Sequence, residues 1–265
     1  MTLLAAASTV SLPGIASNDV IGFLLVLGRV GGLFVLAPVF SSRMLPMQVK
    51  LMLAAAISLA MMPIATHGVA VPTDAGQIVM LLLKEIVVGI AFAMPMAVVV
   101  AAVQAGASLV DTLVGFSFSA ILDPVNNTQS GVLAQFYAMF AAMVIALSGG
   151  DHIMIEGLAR SYQVLPLTSY PDPAILASNV LSAFSQLFVI GLAMVAPVVV
   201  ALVITDAALG MVSRAVPQMN VFMVGLPAKI LVGIGIMAMS LPFVSGQLQT
   251  QMEQSVTQAV RVVGG

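Results

Sequence analysis

The apolar positions of this chain gather in long runs separated by short polar stretches. A helix that crosses the hydrocarbon core of a bilayer needs about 20 mainly apolar residues, and six runs approach that length. They cover residues 20–40, 49–65, 78–103, 132–147, 181–205 and 221–244. Lipid offers no hydrogen bonds to a bare backbone, so each run is expected to be helical. The pattern therefore predicts an all-α, polytopic membrane-type protein with about six long helices, forming one domain over residues 1–265.

Prolines and small residues set these runs apart from simple lipid-bathed helices. Each proline removes one helix hydrogen bond, which a neighbouring group must replace. Gly28 and Gly32 are spaced so that a second helix can approach closely. We therefore expect partly broken helices that pack largely against protein. The prolines concerned are Pro38, Pro95, Pro197, Pro227 and Pro242.

The composition agrees with a membrane protein and argues against several soluble classes. The chain is 61% hydrophobic and 7% charged, whereas a soluble domain carries roughly 25% charged residues. It contains no cysteine, which excludes disulfides and thiolate chemistry, and no basic run, so we expect no nucleic-acid partner. The histidines, His67 and His152, are too few and too scattered to predict a metal cluster.

No motif in the chain predicts catalysis. An HExxH zinc pair and a G-x-S-x-G nucleophile elbow are absent, and the segment SGGD at 148–151 lacks the first glycine of the intramembrane aspartyl protease motif. We therefore predict no catalytic residue, no cofactor and no metal. The alternative function is a self-contained secondary transporter, whose broken helices would form a site near the membrane midplane. Such a transporter should have two related halves, and no such similarity is visible in the sequence.

Charged residues inside the apolar runs need partners. Arg29 lies in the middle of the first run, where an arginine costs about 2.5–3.5 kcal/mol on insertion scales. It should therefore face carbonyls, a carboxylate or a partner subunit. We assign it as an assembly contact, and the alternatives are a structural contact inside the bundle and a place on a substrate or ion pathway. Lys84 and Glu85 are adjacent, so they point about 100° apart on a helix, and each is expected to pair elsewhere.

A second polar group lies in the stretch ITDAALGMVSRAVPQMNVF, residues 204–222. Asp206, Gly210 and Arg214 are spaced by four residues and form one stripe on a helix. Pro217 should break this helix, and Gln218 and Asn220 are expected to cap the turn that follows. Asp206 and Arg214 are roughly 12 Å apart along the axis, so each should pair with a neighbouring element, in a buried setting. The stripe predicts either assembly contacts or a polar hairpin corner.

The stretch DTLVGFSFSAILDPVNNTQS, residues 111–130, fits neither a membrane span nor an ordinary loop. Its apolar middle is too short to cross a bilayer, and Asp111 and Asp123 bracket it. Together with the motifs QFY and TD-x-x-L-G-x-x-x-R-x-x-P-Q-x-N-V-F, it makes the chain resemble the FliR family, the R subunits of flagellar type III export gates. Further matching stretches are RVGGLFVLAPVFSSRMLP and GGDHIMIEGLARSYQVLP. Injectisome counterparts are more distant.

The resemblance implies a non-enzymatic subunit of a helical, hetero-oligomeric pore in the bacterial inner membrane, at the flagellar basal body. One R subunit would join several P and Q subunits, with the B subunit nearby, and unfolded flagellar proteins would pass through as substrates. A P-like part would cover about 1–175 and a Q-like helical hairpin about 176–265. Much of this multi-pass chain would lie above the bilayer plane, although lipid remains a partner.

The resemblance also implies that a segment equivalent to residues 109–122 plugs the channel. Phe116 and Phe118 would fill an axial hole, Gly115 would let the backbone turn, and the serines would tolerate water when the gate opens. The predicted plug residues are Leu113, Gly115, Phe116, Ser117, Phe118 and Ser119. The predicted plug anchors are Asp111, Asp123 and Pro124.

Overall fold

The computed structural model describes residues 17–38, 40, 46–69, 72, 74–116, 131–218 and 220–264. In these ranges every regular element is a helix, which confirms the predicted all-α class. The helices are α1 (Ser17–Leu36), α2 (Met47–Thr66), α3 (Ala75–Val114), α4 (Val132–Leu147), α5 (Gly150–Val164), α6 (Pro173–Ala215) and α7 (Val221–Gly264).

Three of the helices are much longer than the runs that predicted them. Helices α3, α6 and α7 contain 40, 43 and 44 residues. At about 1.5 Å per residue each is roughly 60 Å long or more, which is about twice the hydrocarbon thickness of a bilayer. Each helix continues past its internal prolines, at Pro95 in α3, Pro197 in α6, and Pro227 and Pro242 in α7. The apolar runs are therefore the middle parts of longer helices.

The pronounced break lies between α4 and α5, which meet at 66°. Gly149 stands in the left-handed region there, with φ of 72°, and lets the chain turn. The bounds of α4 agree with the predicted run, whereas α5 was not predicted. Among the described residues, five helices are long and apolar enough to span a membrane, or up to six if the bent pair forms one span.

Helix α3 is the centre of the packing, since α1, α4, α6 and α7 all lie against it. Two crossings are close enough that only glycine fits. A Cβ on Gly89 would overlap the backbone carbonyl of Arg29 in α1, and a Cβ on Gly106 would overlap that of Gly191 in α6. The core between these crossings is apolar and includes the fully buried Phe92. Small residues thus set the distances between α3 and its neighbours.

Helices α6 and α7 pack against each other as a C-terminal hairpin beside α3. Their outer faces are strongly apolar yet exposed, and Phe188 is 79% exposed. Contiguous apolar surface of this kind is typical of faces that meet lipid or another protein. The hairpin thus offers a large surface that this chain alone does not cover.

Candidate functional site

The C-terminal turn of α3 begins the segment that the sequence singles out. The backbone turn expected at Gly115 is present, with φ of 99°. The N–H groups of Gly115 and Phe116 both donate to the carbonyl of Asp111, at 3.1 and 3.0 Å. This is a common way to end a helix, because a left-handed residue redirects the chain while its N–H satisfies a late carbonyl. Leu113 and Phe116 stand on either side of the turn.

The side chain of Asp111 holds the far end of the same segment. It is 1% exposed, and its two carboxylate oxygens accept hydrogen bonds from the N–H groups of Leu133 and Ala134, both at 2.9 Å. Those groups belong to the first turn of α4, where N–H donors lack helical partners and the dipole favours negative charge. A Cβ on Gly131 would overlap this carboxylate. Asp111 thus fastens the chain at residue 133 to the end of α3.

The remaining predicted plug and anchor residues lie outside the described residues. They are Ser117, Phe118, Ser119, Asp123 and Pro124.

The predicted assembly stripe meets the turn of α3 around a cavity of about 450 Å³. Lys229 of α7 forms an ion pair with Asp206 of α6, with Nζ and Oδ1 2.5 Å apart, and donates a hydrogen bond to the carbonyl of Leu113 at 3.2 Å. The expectation that Asp206 pairs with a neighbouring element is confirmed. Around the cavity lie Leu113, Gly115, Asp206, Gly210, Gly225 and Lys229. Residues predicted as plug and as assembly contact therefore share one site.

The rest of the stripe is exposed rather than buried within this chain. Arg214 stands in the last turn of α6 and Pro217 in the connection that follows. Asn220 accepts a hydrogen bond from the N–H of Met223 at 3.3 Å, where α7 begins. Asp206 itself is 44% exposed. The buried setting expected for Asp206 and Arg214 is thus not provided by this chain, and burial would require another molecule.

Arg29 is fully buried inside the bundle rather than at a surface for assembly. Its guanidinium pairs with both carboxylate oxygens of Glu85, at 2.5 and 3.0 Å. It also donates to the hydroxyl of Ser161 and the carbonyl of Leu165, at 3.1 and 3.0 Å, and lies 4.1 Å from the ring centre of Tyr162. All these partners belong to the chain itself. The geometry therefore favours the structural contact over the assembly contact.

The expectation that Lys84 and Glu85 do not pair with each other is wrong, although each also has the expected partner elsewhere, which for Glu85 is Arg29. Lys84 Nζ lies 2.6 Å from Glu85 Oε1, and it also donates to the carbonyls of Leu167 and Ser169. The angle of about 100° describes how the two side chains leave the helix, but the four-carbon stem of lysine bends back to the carboxylate. Glu85 thus pairs with two cations, Arg29 and Lys84. Both cations also donate hydrogen bonds to carbonyl groups in the connection that precedes α6.

Sequence reasoning missed Lys229 and Gly131 as parts of the site. Lys229 had a usable signal, because it is a single charge inside the apolar run 221–244 and such a charge needs a partner. Gly131 had no such signal in the sequence, because its role depends on how closely the Asp111 side chain approaches it in the fold. Over the described ranges, no group of three His, Asp or Glu side chains is placed to hold a metal ion.

Most of this chain matches known bacterial export proteins. A family model described as bacterial export proteins, family 1, matches residues 20–255. The flagellar biosynthetic protein FliR of Bacillus subtilis is 34% identical over 228 residues, covering 84% of this chain and 87% of that protein. FliR of Escherichia coli is 30% identical over 217 residues, covering 82% and 83%. The surface presentation of antigens protein SpaR of Shigella flexneri is 33% identical over 154 residues, covering 58% and 59%.

Proposed function

Because the chain belongs to family 1 of the bacterial export proteins, we propose that it is the R subunit of a flagellar type III export gate. In this role it is a multi-pass membrane subunit without enzymatic activity. The flagellar assignment is supported by the coverage of the relatives. The FliR proteins of Bacillus subtilis and Escherichia coli match over more than four fifths of this chain, whereas SpaR of Shigella flexneri matches over 58%.

The proposed partners are the P and Q subunits, with the B subunit nearby, in the bacterial inner membrane at the flagellar basal body. Exported flagellar proteins are the proposed substrates. The support is the exposed apolar surface of the α6–α7 hairpin and the length of α3, α6 and α7. Helices of about twice the bilayer thickness cannot be covered by lipid alone. The P-like part, about 1–175, would end near the start of α6, and the Q-like part, about 176–265, would be the hairpin.

Within this gate, the segment that begins at the turn of α3 is proposed to seal the channel. The observation that carries this proposal is the clamp made by Asp111, which ties residues 111 and 133–134 together at 2.9 Å. The chain between them therefore leaves and returns at one fixed place. Burying a phenylalanine contributes roughly 1.5–3 kcal/mol. Phe116 and Phe118 would thus make a seal that an arriving substrate can displace.

The deciding experiment deletes residues 115–119 and measures ion conductance of the assembled gate in a planar bilayer. We expect the complex to assemble and to leak small ions, with a smaller leak for Phe118→Ala. The matched control is Phe136→Ala, which removes an exposed phenylalanine of α4, outside the hairpin surface, and should leave conductance unchanged. Wild-type conductance in an assembled deletion variant would place the seal in another subunit.

Assembly is tested separately by the mass of the complex purified in detergent. A stable hetero-oligomer with one copy of this chain is expected of an export gate. A lone monomer or a homodimer would instead support the secondary transporter.

A further inference from the structure

We propose that Lys229 is a positioning residue that fixes the C-terminal turn of α3 to the α6–α7 hairpin. This inference deepens the proposed gate and rests on it, because the turn is where the proposed seal begins. Lys229 connects three helices through one ammonium group. It pairs with Asp206 of α6 and donates to the carbonyl of Leu113 of α3, while its own backbone belongs to α7.

The carbonyl of Leu113 explains why a cation is useful at this place. The last four carbonyls of a helix have no partner within it, and Leu113 is one of these in α3. A lysine that donates to such a carbonyl satisfies it and also interacts favourably with the negative end of the helix dipole. Lys229 is 23% exposed, so solvent weakens this interaction only in part.

The contacts on either side of Lys229 show that a whole face of α7 meets the turn. A Cβ on Gly115 would overlap the side chain of Leu226, and a Cβ on Gly233 would approach that of Val114 at 2.9 Å. Residues 226, 229 and 233 lie on one side of a helix. Lys229 therefore stands at the centre of an apolar contact, where it provides the polar connection.

The turn of α3 is thus held from two directions. On one side, Asp111 fastens it to α4, and on the other, Lys229 fastens it to the hairpin. A shift of α7 along its axis would separate Nζ from the Leu113 carbonyl and release the turn on that side only. Movement of the hairpin would therefore be transmitted through Lys229 to the C-terminal turn of α3, where the proposed seal begins.

The test measures amide hydrogen exchange of residues 109–116 in the assembled complex. Lys229→Met should make exchange in this turn roughly tenfold faster, since a hydrogen bond to a charged group is lost. Lys229→Arg keeps the charge and the donors, so exchange should return close to the wild-type rate. Asp206→Asn leaves the bond to Leu113 in place and should have a smaller effect. If Lys229→Met does not assemble, Lys229→Gln shortens the reach and should have the same effect as Met.

The matched control is Arg160→Met, which removes the cation of an exposed ion pair with Glu156 and should not change exchange at residues 109–116. Unchanged exchange in the Lys229 variants would overturn the positioning role, even if deletion of residues 115–119 makes the gate leak. Faster exchange in Lys229→Met, with wild-type conductance in both that variant and the deletion, would overturn the proposed seal and leave the positioning role standing.

Discussion

At the scale of single residues, Asp111 carries the most structural information. One buried carboxylate accepts from two N–H groups of α4, and the same residue ends α3 through its backbone carbonyl. Hydrogen bonds to a charged group contribute about 1.5–3 kcal/mol each. Its position before the unusual segment was evident from the sequence, but its partners were not, because they depend on how α4 approaches α3.

Substitution of Asp111 tests this clamp. An asparagine offers one acceptor oxygen, and its amide would face the second N–H group, so Asp111→Asn should lower the thermal midpoint of the purified complex. Asp111→Leu should lower it further, since both buried N–H groups lose their acceptor, at about 1–3 kcal/mol each. Ser108→Asn on the exposed side of α3 is the control. Equal midpoints for wild type and Asp111→Leu would show that the clamp contributes nothing.

The buried cluster around Glu85 leads to a second prediction. Glu85→Ala leaves two buried cations, Arg29 and Lys84, without their carboxylate, and removing one partner of a buried pair costs about 3–5 kcal/mol. Glu156→Ala breaks an exposed pair with Arg160, which is worth about 0–1 kcal/mol. Thermal midpoints and yields of the two variants should therefore differ strongly. Similar losses in both would contradict the role of the cluster.

At the scale of elements, the type and approximate place of the long helices could be predicted from apolar runs alone. The ends could not, because the helices continue beyond the apolar runs through polar residues, some of them buried, as Ser255 is in α7, and others exposed, as Ser178 is in α6. Helix α5 was missed because its polar residues interrupt the run. Its buried Met154, Leu158 and Tyr162 recur every four residues, a spacing that indicates an amphipathic helix. A search for long apolar runs overlooks such a helix.

The crossing of α3 and α6 gives a prediction about packing. Gly106→Ala places a methyl group against the Gly191 carbonyl, so the helices must separate, and overpacking of this kind costs about 1–3 kcal/mol. Gly235→Ala is the control, because nothing lies within 4 Å of its Cβ position, and alanine favours a helix over glycine by about 1 kcal/mol. The thermal unfolding midpoint of the purified complex should fall for Gly106→Ala and should stay the same or rise for Gly235→Ala. A fall in the control alone would argue against this account.

At the scale of the whole molecule, the polar stripe of α6 meets the rest of the chain at Asp206 but is exposed at its C-terminal end, at Arg214. Arg214 forms no ion pair with any residue that the structure describes, and it is exposed. The stripe itself was predicted correctly, because helical spacing can be read from sequence. The partner of Arg214 could not be predicted, since a chain by itself does not specify what covers its surface.

Arg214→Ala tests whether another subunit provides that partner. We expect less assembled complex, because a pair buried between subunits would lose about 3–5 kcal/mol, while the helical content of the chain stays unchanged. Arg160→Ala, also an exposed arginine, should assemble normally. The measurement is the mass and amount of complex purified from membranes, together with circular dichroism. Normal assembly and normal export by Arg214→Ala would refute the contact.

The hydrogen bonds of Arg29 also have a consequence for how the protein is made. Its partners Glu85, Ser161 and Leu165 lie 56, 132 and 136 residues later in the chain. Translation at about 5–20 residues per second supplies the last of these 136 residues only after roughly 7–27 s. Until then α1 carries an arginine that the hydrocarbon disfavours and that lacks part of its final set of partners. Glu85 is translated first, so insertion of α1 should become more favourable in two stages, once Glu85 and then once Ser161 and Leu165 have been made.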